Sequence, residues 1–314
     1  MIQNITVIGA GTMGHAMAGC FACYGYDVSV YENLEEVRNN CKKKIKKQYE
    51  FLHVEGLMKP NEIEKSLNRI TTFHDLESAV KNADYIIEAI PERLDLKQQL
   101  FENLIQYAPA HAIIASNTSS ISFSDLTANM GEKDRERTMV CHWYNPAHLI
   151  PLVELSFFGN MPEDCYQEVE HLYRSIEKRP AKVKKDIPGL LANRIQQGIA
   201  REVFSLMEMG AAEPKDVETA LKYGPAFRYA TTGHLEVTDF GGLDIWCTVG
   251  NNLLAVMDRS AEASPLLRQK VKEGKLGFKT GEGFFTYPEE EKEEIQNQFH
   301  KRLIRQLQAS KKYD

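Results

Sequence analysis

Residues 5–32, ITVIGAGTMGHAMAGCFACYGYDVSVYE, decide the fold of this chain. Ile5-Thr6-Val7-Ile8 is an apolar run of strand type. Gly9, Gly11 and Gly14 punctuate the loop that follows, a helix-like stretch runs on to Tyr24, and Asp27 to Tyr31 forms a second strand that ends in the acid Glu32. In such a strand, turn and helix, the first glycine permits the tight turn. The second lets a pyrophosphate approach the backbone, and the third lets helix and strand pack closely. At the helix start, around Thr12 and Met13, free N–H groups and the positive end of the helix dipole face the phosphates. A glycine pattern alone is weak, but this one follows a strand, opens a helix, and has Glu32 placed to accept hydrogen bonds from a ribose. The expectation is a dinucleotide site. A carboxylate at 32 repels a 2′-phosphate, and no arginine follows until Arg38, so NAD is expected rather than NADP. Taken alone, Glu32 also fits an ordinary glutamate at a strand end.

The 314-residue chain is longer than one nucleotide-binding domain of about 150–200 residues, so a second domain is expected. With 43% hydrophobic and 26% charged residues, and no apolar stretch long enough to span a bilayer, the composition is that of a soluble globular protein. Met1 leads almost directly into the first strand, so no secretory signal is expected and the address is cytoplasmic. A net charge of −6 argues against a general nucleic-acid or anionic-membrane surface. The one basic cluster, Lys42-Lys43-Lys44-Ile45-Lys46-Lys47, reads either as a solvated helix face or as a contact for a phosphate-bearing substrate tail. Six cysteines show no zinc framework, so no metal is expected, and Cys20 and Cys23 inside the first helix read as packed, reduced thiols.

Strand and helix alternate through the first part of the chain, with buried-strand runs at Ala83 to Ile90, Ala112 to Ser116, Thr138 to His142, Leu152 to Leu155 and Ala181 to Lys184. This is the mark of an α/β, Rossmann-type, doubly wound and mainly parallel sheet. The character changes at Lys185-Asp186-Ile187-Pro188-Gly189. Helical periodicity then dominates, in Leu190 to Met209, Pro214 to Tyr223 and Leu243 to Met257. The expected division is therefore 1–185, an NAD-binding domain, and 186–314, a smaller all-helical domain for substrate and dimerisation. Its last stretch, Glu289 to Lys312, is amphipathic, with apolar residues at Ile295, Phe299, Leu303, Ile304 and Leu307 that either a partner subunit or its own domain covers.

His142 is the leading candidate for proton transfer. It stands at the carboxyl end of a strand, where ligands of open α/β sheets bind, and an imidazole can take the proton of an alcohol as hydride leaves. Glu154, on the next strand, is placed to hold the far ring nitrogen. By residue type alone, Ser119 is one serine in a polar loop, and Asn193 is equally a helix-capping residue.

End to end, the chain resembles the 3-hydroxyacyl-CoA dehydrogenase family. The resemblance rests on Gly9 to Gly14, Glu88-Ala89-Ile90-Pro91-Glu92, Ala115 to Ser120, His142 to Pro146 with Leu152-Val153-Glu154, and Pro188-Gly189 with Asn193-Arg194. It continues with Asp239, Gly242-Leu243-Asp244, Lys279 and Gly281 to Phe284. It implies His142 as base, Glu154 as its partner, and Ser119 and Asn193 as the groups that hold the reacting oxygen. It implies NAD contacts at Gly9, Gly11, Thr12, Met13, Gly14, Glu32, Glu92, Lys97 and Asn117, a homodimer, and a role in fatty acid metabolism. The leading expectation is oxidation of an L-3-hydroxyacyl-CoA such as 3-hydroxybutyryl-CoA to the 3-oxoacyl-CoA.

Some stretches depart from that pattern. Trp143-Tyr144 stand where two phenylalanines are usual, Pro151 stands where a lysine is usual, and Gly233-His234-Leu235-Glu236 replaces Gly-Pro-Phe-Glu. Such departures resemble relatives acting on free hydroxy acids, the gulonate and carnitine dehydrogenases. Arg228 then reads either as the partner of a free substrate carboxylate or as a surface or intersubunit ion pair, and His148 as a substrate contact or a loop histidine. A different class of reading is a catalytically silent NAD-binding sensor or structural protein.

Overall fold

In the computed structural model, which describes residues 2–313, the opening stretch forms strand β1 (Asn4–Ile8), helix α1 (Thr12–Cys23) and strand β2 (Asp27–Tyr31). Helices α2 (Glu35–Val54) and α3 (Pro60–Leu67) follow. Next come β3 (Ile70–Phe73), α4 (Leu76–Val80), β4 (Tyr85–Glu88), α5 (Leu94–Tyr107) and β5 (Ile113–Ser116). Two short helices, α6 (Phe123–Leu126) and α7 (Glu132–Arg135), lead to β6 (Thr138–Trp143), β7 (Leu152–Ser156), α8 (Glu163–Ser175) and β8 (Arg179–Val183).

The eight strands form one sheet in the order β3-β2-β1-β4-β5-β6-β7-β8. Every pairing is parallel except β6 with β7. That exception follows from the connection. Residues 144–151 are too few to cross over the sheet, so the chain turns back on itself. The central strands β4, β5 and β6 are buried along their whole length because helices cover both faces of the sheet. Val7, Phe21, Ile87 and Trp143 belong to the core on one face, and Ile8, Ile86, Phe101 and Ile114 to the core on the other. The carboxyl ends of β1, β4, β5 and β6 share one edge, and the chain reverses strand order beside β1, which is where such sheets bind ligands.

The chain divides into two compact units, the first ending at Leu191 and the second beginning at Ala192. The division falls six residues beyond the composition change at 185. Asp186 is held in the first unit by the Phe123 and Ser124 amides, which donate to its carboxylate at 3.1 and 3.0 Å. In the second unit, α9 (Ala192–Glu208), α10 (Pro214–Tyr223), α11 (Pro225–Tyr229), α12 (His234–Gly241), α13 (Leu243–Leu253) and α14 (Pro265–Lys272) are followed by α15 (Lys292–Ser310). Among the described residues of this unit, two isolated β-bridges, at Gly277 with Glu282 and Glu282 with Thr286, interrupt the helical character. Of the α15 stripe, Ile304 is buried, while Phe299 remains exposed. Among the described residues, no helix is long and apolar enough to cross a membrane.

Candidate active site

The glycine loop has the shape its sequence demands. Gly9 sits at φ +95°, and a Cβ there would lie 3.0 Å from the Ala89 carbonyl oxygen. At Gly14 a Cβ would fall 1.8 Å from the Gly9 carbonyl oxygen, so strand and helix approach as only glycine allows. Gly11 differs. A Cβ there meets nothing within 4 Å, which leaves the open approach that a pyrophosphate requires. Glu32 is buried at the end of β2, and its carboxylate accepts from Ala10 N at 2.9 Å and Leu34 N at 3.0 Å. A carboxylate offers about four acceptor sites, so capacity remains for ribose hydroxyls. Arg38 donates to the Glu32 carbonyl at 2.8 Å, and so grips backbone beside the acid. The residues present fit a dinucleotide.

One strand further along the edge lies a buried charge cluster that the sequence did not reveal as such. Lys97 is 1% exposed and Glu88 0%, and Lys97 Nζ donates to Glu88 Oε1 at 2.6 Å and lies 3.2 Å from Glu92 Oε2. Glu88 also accepts from Ser116 Oγ at 2.6 Å. Lys97 is therefore paired with two carboxylates, and is linked through Glu92 to the loop that follows β5. Glu92 in turn accepts from Thr118 Oγ1 at 2.6 Å, Ser119 N at 2.9 Å, and Ser120 N and Oγ at 3.0 and 2.9 Å. Burial pushes the Glu92 carboxyl up, but the Thr118 hydroxyl, the Lys97 charge and the Ser119 and Ser120 donors outweigh it and hold it at about 2. The loop carrying Ser119 is thus fastened by one ionised acid. Among the described residues, no group bonds the Ser119 hydroxyl, which lines a small pocket with Val140, Pro188 and Leu190. Asn117 Oδ1 accepts from Trp143 N at 2.8 Å, tying the same loop to the end of β6.

His142 and Glu154 face each other as a register pair on β6 and β7. His142 Nδ1 lies 2.9 Å from Glu154 Oε2, with the histidine side chain 8% and the glutamate 0% exposed. A buried carboxylate there makes Nδ1 the protonated nitrogen and leaves Nε2 with a lone pair. The other carboxylate oxygen of Glu154 accepts from Leu191 N at 2.8 Å. One carboxylate thus holds both the imidazole and the last residue before α9. Tyr144 packs edge-on against the His142 ring, with centroids 5.1 Å apart.

Residues 4–187 match the description 3-hydroxyacyl-CoA dehydrogenase, NAD binding domain, and residues 189–287 match 3-hydroxyacyl-CoA dehydrogenase, C-terminal domain. The chain belongs to the 3-hydroxyacyl-CoA dehydrogenase family. It is an NAD-dependent dehydrogenase acting on a hydroxyl group, which sets aside the catalytically silent reading. The chain is 30% identical to 5-formyl-3-hydroxy-2-methylpyridine 4-carboxylate 5-dehydrogenase of Mesorhizobium japonicum, over 97% of each chain. It is 31% identical to the mitochondrial hydroxyacyl-coenzyme A dehydrogenase of Homo sapiens, over 91% of this chain and 92% of that one. Its fold is similar to a crystal structure of 5-formyl-3-hydroxy-2-methylpyridine 4-carboxylic acid 5-dehydrogenase, an NAD+-dependent dismutase, with a TM-score of 0.90, 29% identity and full coverage of both chains.

Two further expected residues belong to the second unit. Asn193 is the second residue of α9. Arg228, on α11, is exposed, and among the described residues no carboxylate pairs with it. All six cysteines are free, and burial raises Cys23 to about 11, so it is not a ready thiolate.

Proposed function

We propose that this dehydrogenase oxidises the hydroxyl of a small substrate that carries a free carboxylate, with His142 as the general base. The pairing of His142 Nδ1 with Glu154 carries the chemistry. Its geometry directs Nε2 to take the hydroxyl proton, and Glu154 stabilises the imidazolium that forms. NAD, when bound over Gly11 and against Glu32, supplies the hydride acceptor. Ser119, with its free hydroxyl, is assigned to the reacting oxygen, and Asn193 shares that assignment by family resemblance.

The free carboxylate is supported by Arg228, a guanidinium available for a bidentate pair, and by Pro151 in place of a lysine. The full-length likeness to a pyridine-carboxylate dehydrogenase supports it too. The second reading, an L-3-hydroxyacyl-CoA, is favoured by the human relative and by the exposed lysines Lys42, Lys43 and Lys44 of α2. Parallel assays with 3-hydroxybutyryl-CoA and a panel of free hydroxy acids, gulonate and carnitine included, separate the two. The expected result is turnover of a free acid, and a rise of its KM by about ten- to a hundredfold in Arg228→Met with little change in kcat. A higher kcat/KM for the thioester, unmoved by Arg228→Met, overturns the carboxylate reading.

A homodimer belongs to the same proposal. In the second unit, Leu235 and Phe240 are each 80% exposed and Val256 79%, apolar side chains that a partner subunit would cover. Light scattering should return twice the chain mass, and a monomer at micromolar concentration counts against the assignment.

A further inference from the structure

His142 is held from in front by Glu154, and the strand that bears it is gripped from behind. Side chains alternate along a strand, so Cys141 and Trp143, which flank His142, point to the opposite sheet face. Both reach the same hydroxyl. Cys141 Sγ donates to Tyr173 Oη at 2.9 Å and Trp143 Nε1 donates to it at 3.2 Å, with Tyr85 Oη a further 2.9 Å neighbour. All four side chains are buried.

Lys178 completes the grip, and nothing in the proposed chemistry uses it. It is 6% exposed, and among the described residues no carboxylate pairs with it. Its Nζ donates to Ala147 O at 2.6 Å and Ile150 O at 2.7 Å, and lies 4.5 Å from the Trp143 ring centroid. Burial lowers its pKa, which marks the cost of holding a cation there. An ammonium persists in such a place only where dipoles and a ring face replace water, and two carbonyls and an indole do so here. The preceding Glu177 stands at φ +58°, a left-handed conformation uncommon for a residue with a side chain.

Ala147 and Ile150 both lie in the turn of residues 144–151, which joins the strand of His142 to the strand of Glu154. Slipping that pairing by one residue would turn Glu154 to the wrong face of the sheet. We propose that Lys178 is a positioning residue for the dehydrogenase reaction: by clamping this turn and covering Trp143, it fixes the register that places Glu154 on His142 Nδ1. Its kinetic consequence rests on His142 being the base, whereas its structural consequence does not.

The test compares full-length Lys178→Met, which loses the donors, with Lys178→Gln, which keeps two N–H donors without the charge. The first readout is the downfield proton resonance of His142 Nδ1–H, assigned by its disappearance in His142→Ala. The second is kcat and NADH affinity. Lys178→Met should lose or shift the resonance and lower kcat by about a hundredfold while NADH binds as in the wild type. Lys178→Gln should fall between the two. If Lys178→Met does not fold, Lys178→Gln and Tyr173→Phe are read in the same way. A wild-type resonance in the folded variants overturns the inference, whether kcat is normal or falls together with NADH affinity. If His142→Ala itself retains turnover, the assignment of the base fails, and the resonance still decides the role of Lys178.

Discussion

His142→Ala should lower kcat by about a thousandfold and leave NADH binding intact. The two effects separate because the groups that hold the cofactor belong to other strands: the glycine loop follows β1, and Glu32 follows β2. The imidazole supplies a different function, a lone pair at Nε2 in a setting where Nδ1 is committed to Glu154 at 2.9 Å. Its removal leaves a substrate hydroxyl with only water to take its proton. The variant should also be less stable, because a wholly buried carboxylate loses one of its donors, at a cost of about 1–3 kcal/mol. Adding Glu154→Ala to His142→Ala should then cost little further activity, since the two act as one unit. Steady-state turnover and NADH fluorescence titration check this. Turnover near that of the wild type in the single variant ends the assignment of His142 as base.

The features that were legible in the sequence are those with a local or periodic signature. The apolar strands, the glycine spacing and the acid after β2 need only neighbouring residues to be read, and His142 and Glu154 could be paired because each ends or lies within a recognisable strand. Lys97 shows the limit. Its residue type fits a surface helix lysine and a cofactor contact equally, and its burial depends on Glu88, at the end of β4, turning its carboxylate inward. Lys178 was invisible for the same reason, since its partners are backbone carbonyls of a distant turn and carry no residue-type signal. The helices α4, α6, α7, α11, α12 and α14 escaped because four to eight residues span about one to two turns, too few for a 3.6-residue period to declare itself. Composition changes at Lys185, yet Asp186 and Leu191 are bound into the sheet domain by hydrogen bonds, so the compact unit outlasts the compositional one.

Two alanine substitutions in one loop should fail in opposite ways. In Gly14→Ala, the new methyl would stand 1.8 Å from the carbonyl oxygen and 2.8 Å from the carbonyl carbon of Gly9. Both are backbone atoms, and no side-chain rotation relieves them. Helix α1 must move off β1, so the packing of Val7, Met17 and Phe21 opens, at a cost of about 3 kcal/mol or more, and NADH binding is lost with the loop. Gly11→Ala meets no atom within 4 Å, and Gly11 has φ −66°, a value any residue adopts. That variant should fold and melt as the wild type does, yet bind NADH far more weakly, because its methyl stands where the pyrophosphate approaches the backbone. Thermal unfolding and NADH titration of the two variants form the check. Wild-type NADH affinity in Gly11→Ala would move the pyrophosphate off this loop, and a stable, NADH-binding Gly14→Ala would deny the close approach of helix and strand on which the dinucleotide site is built.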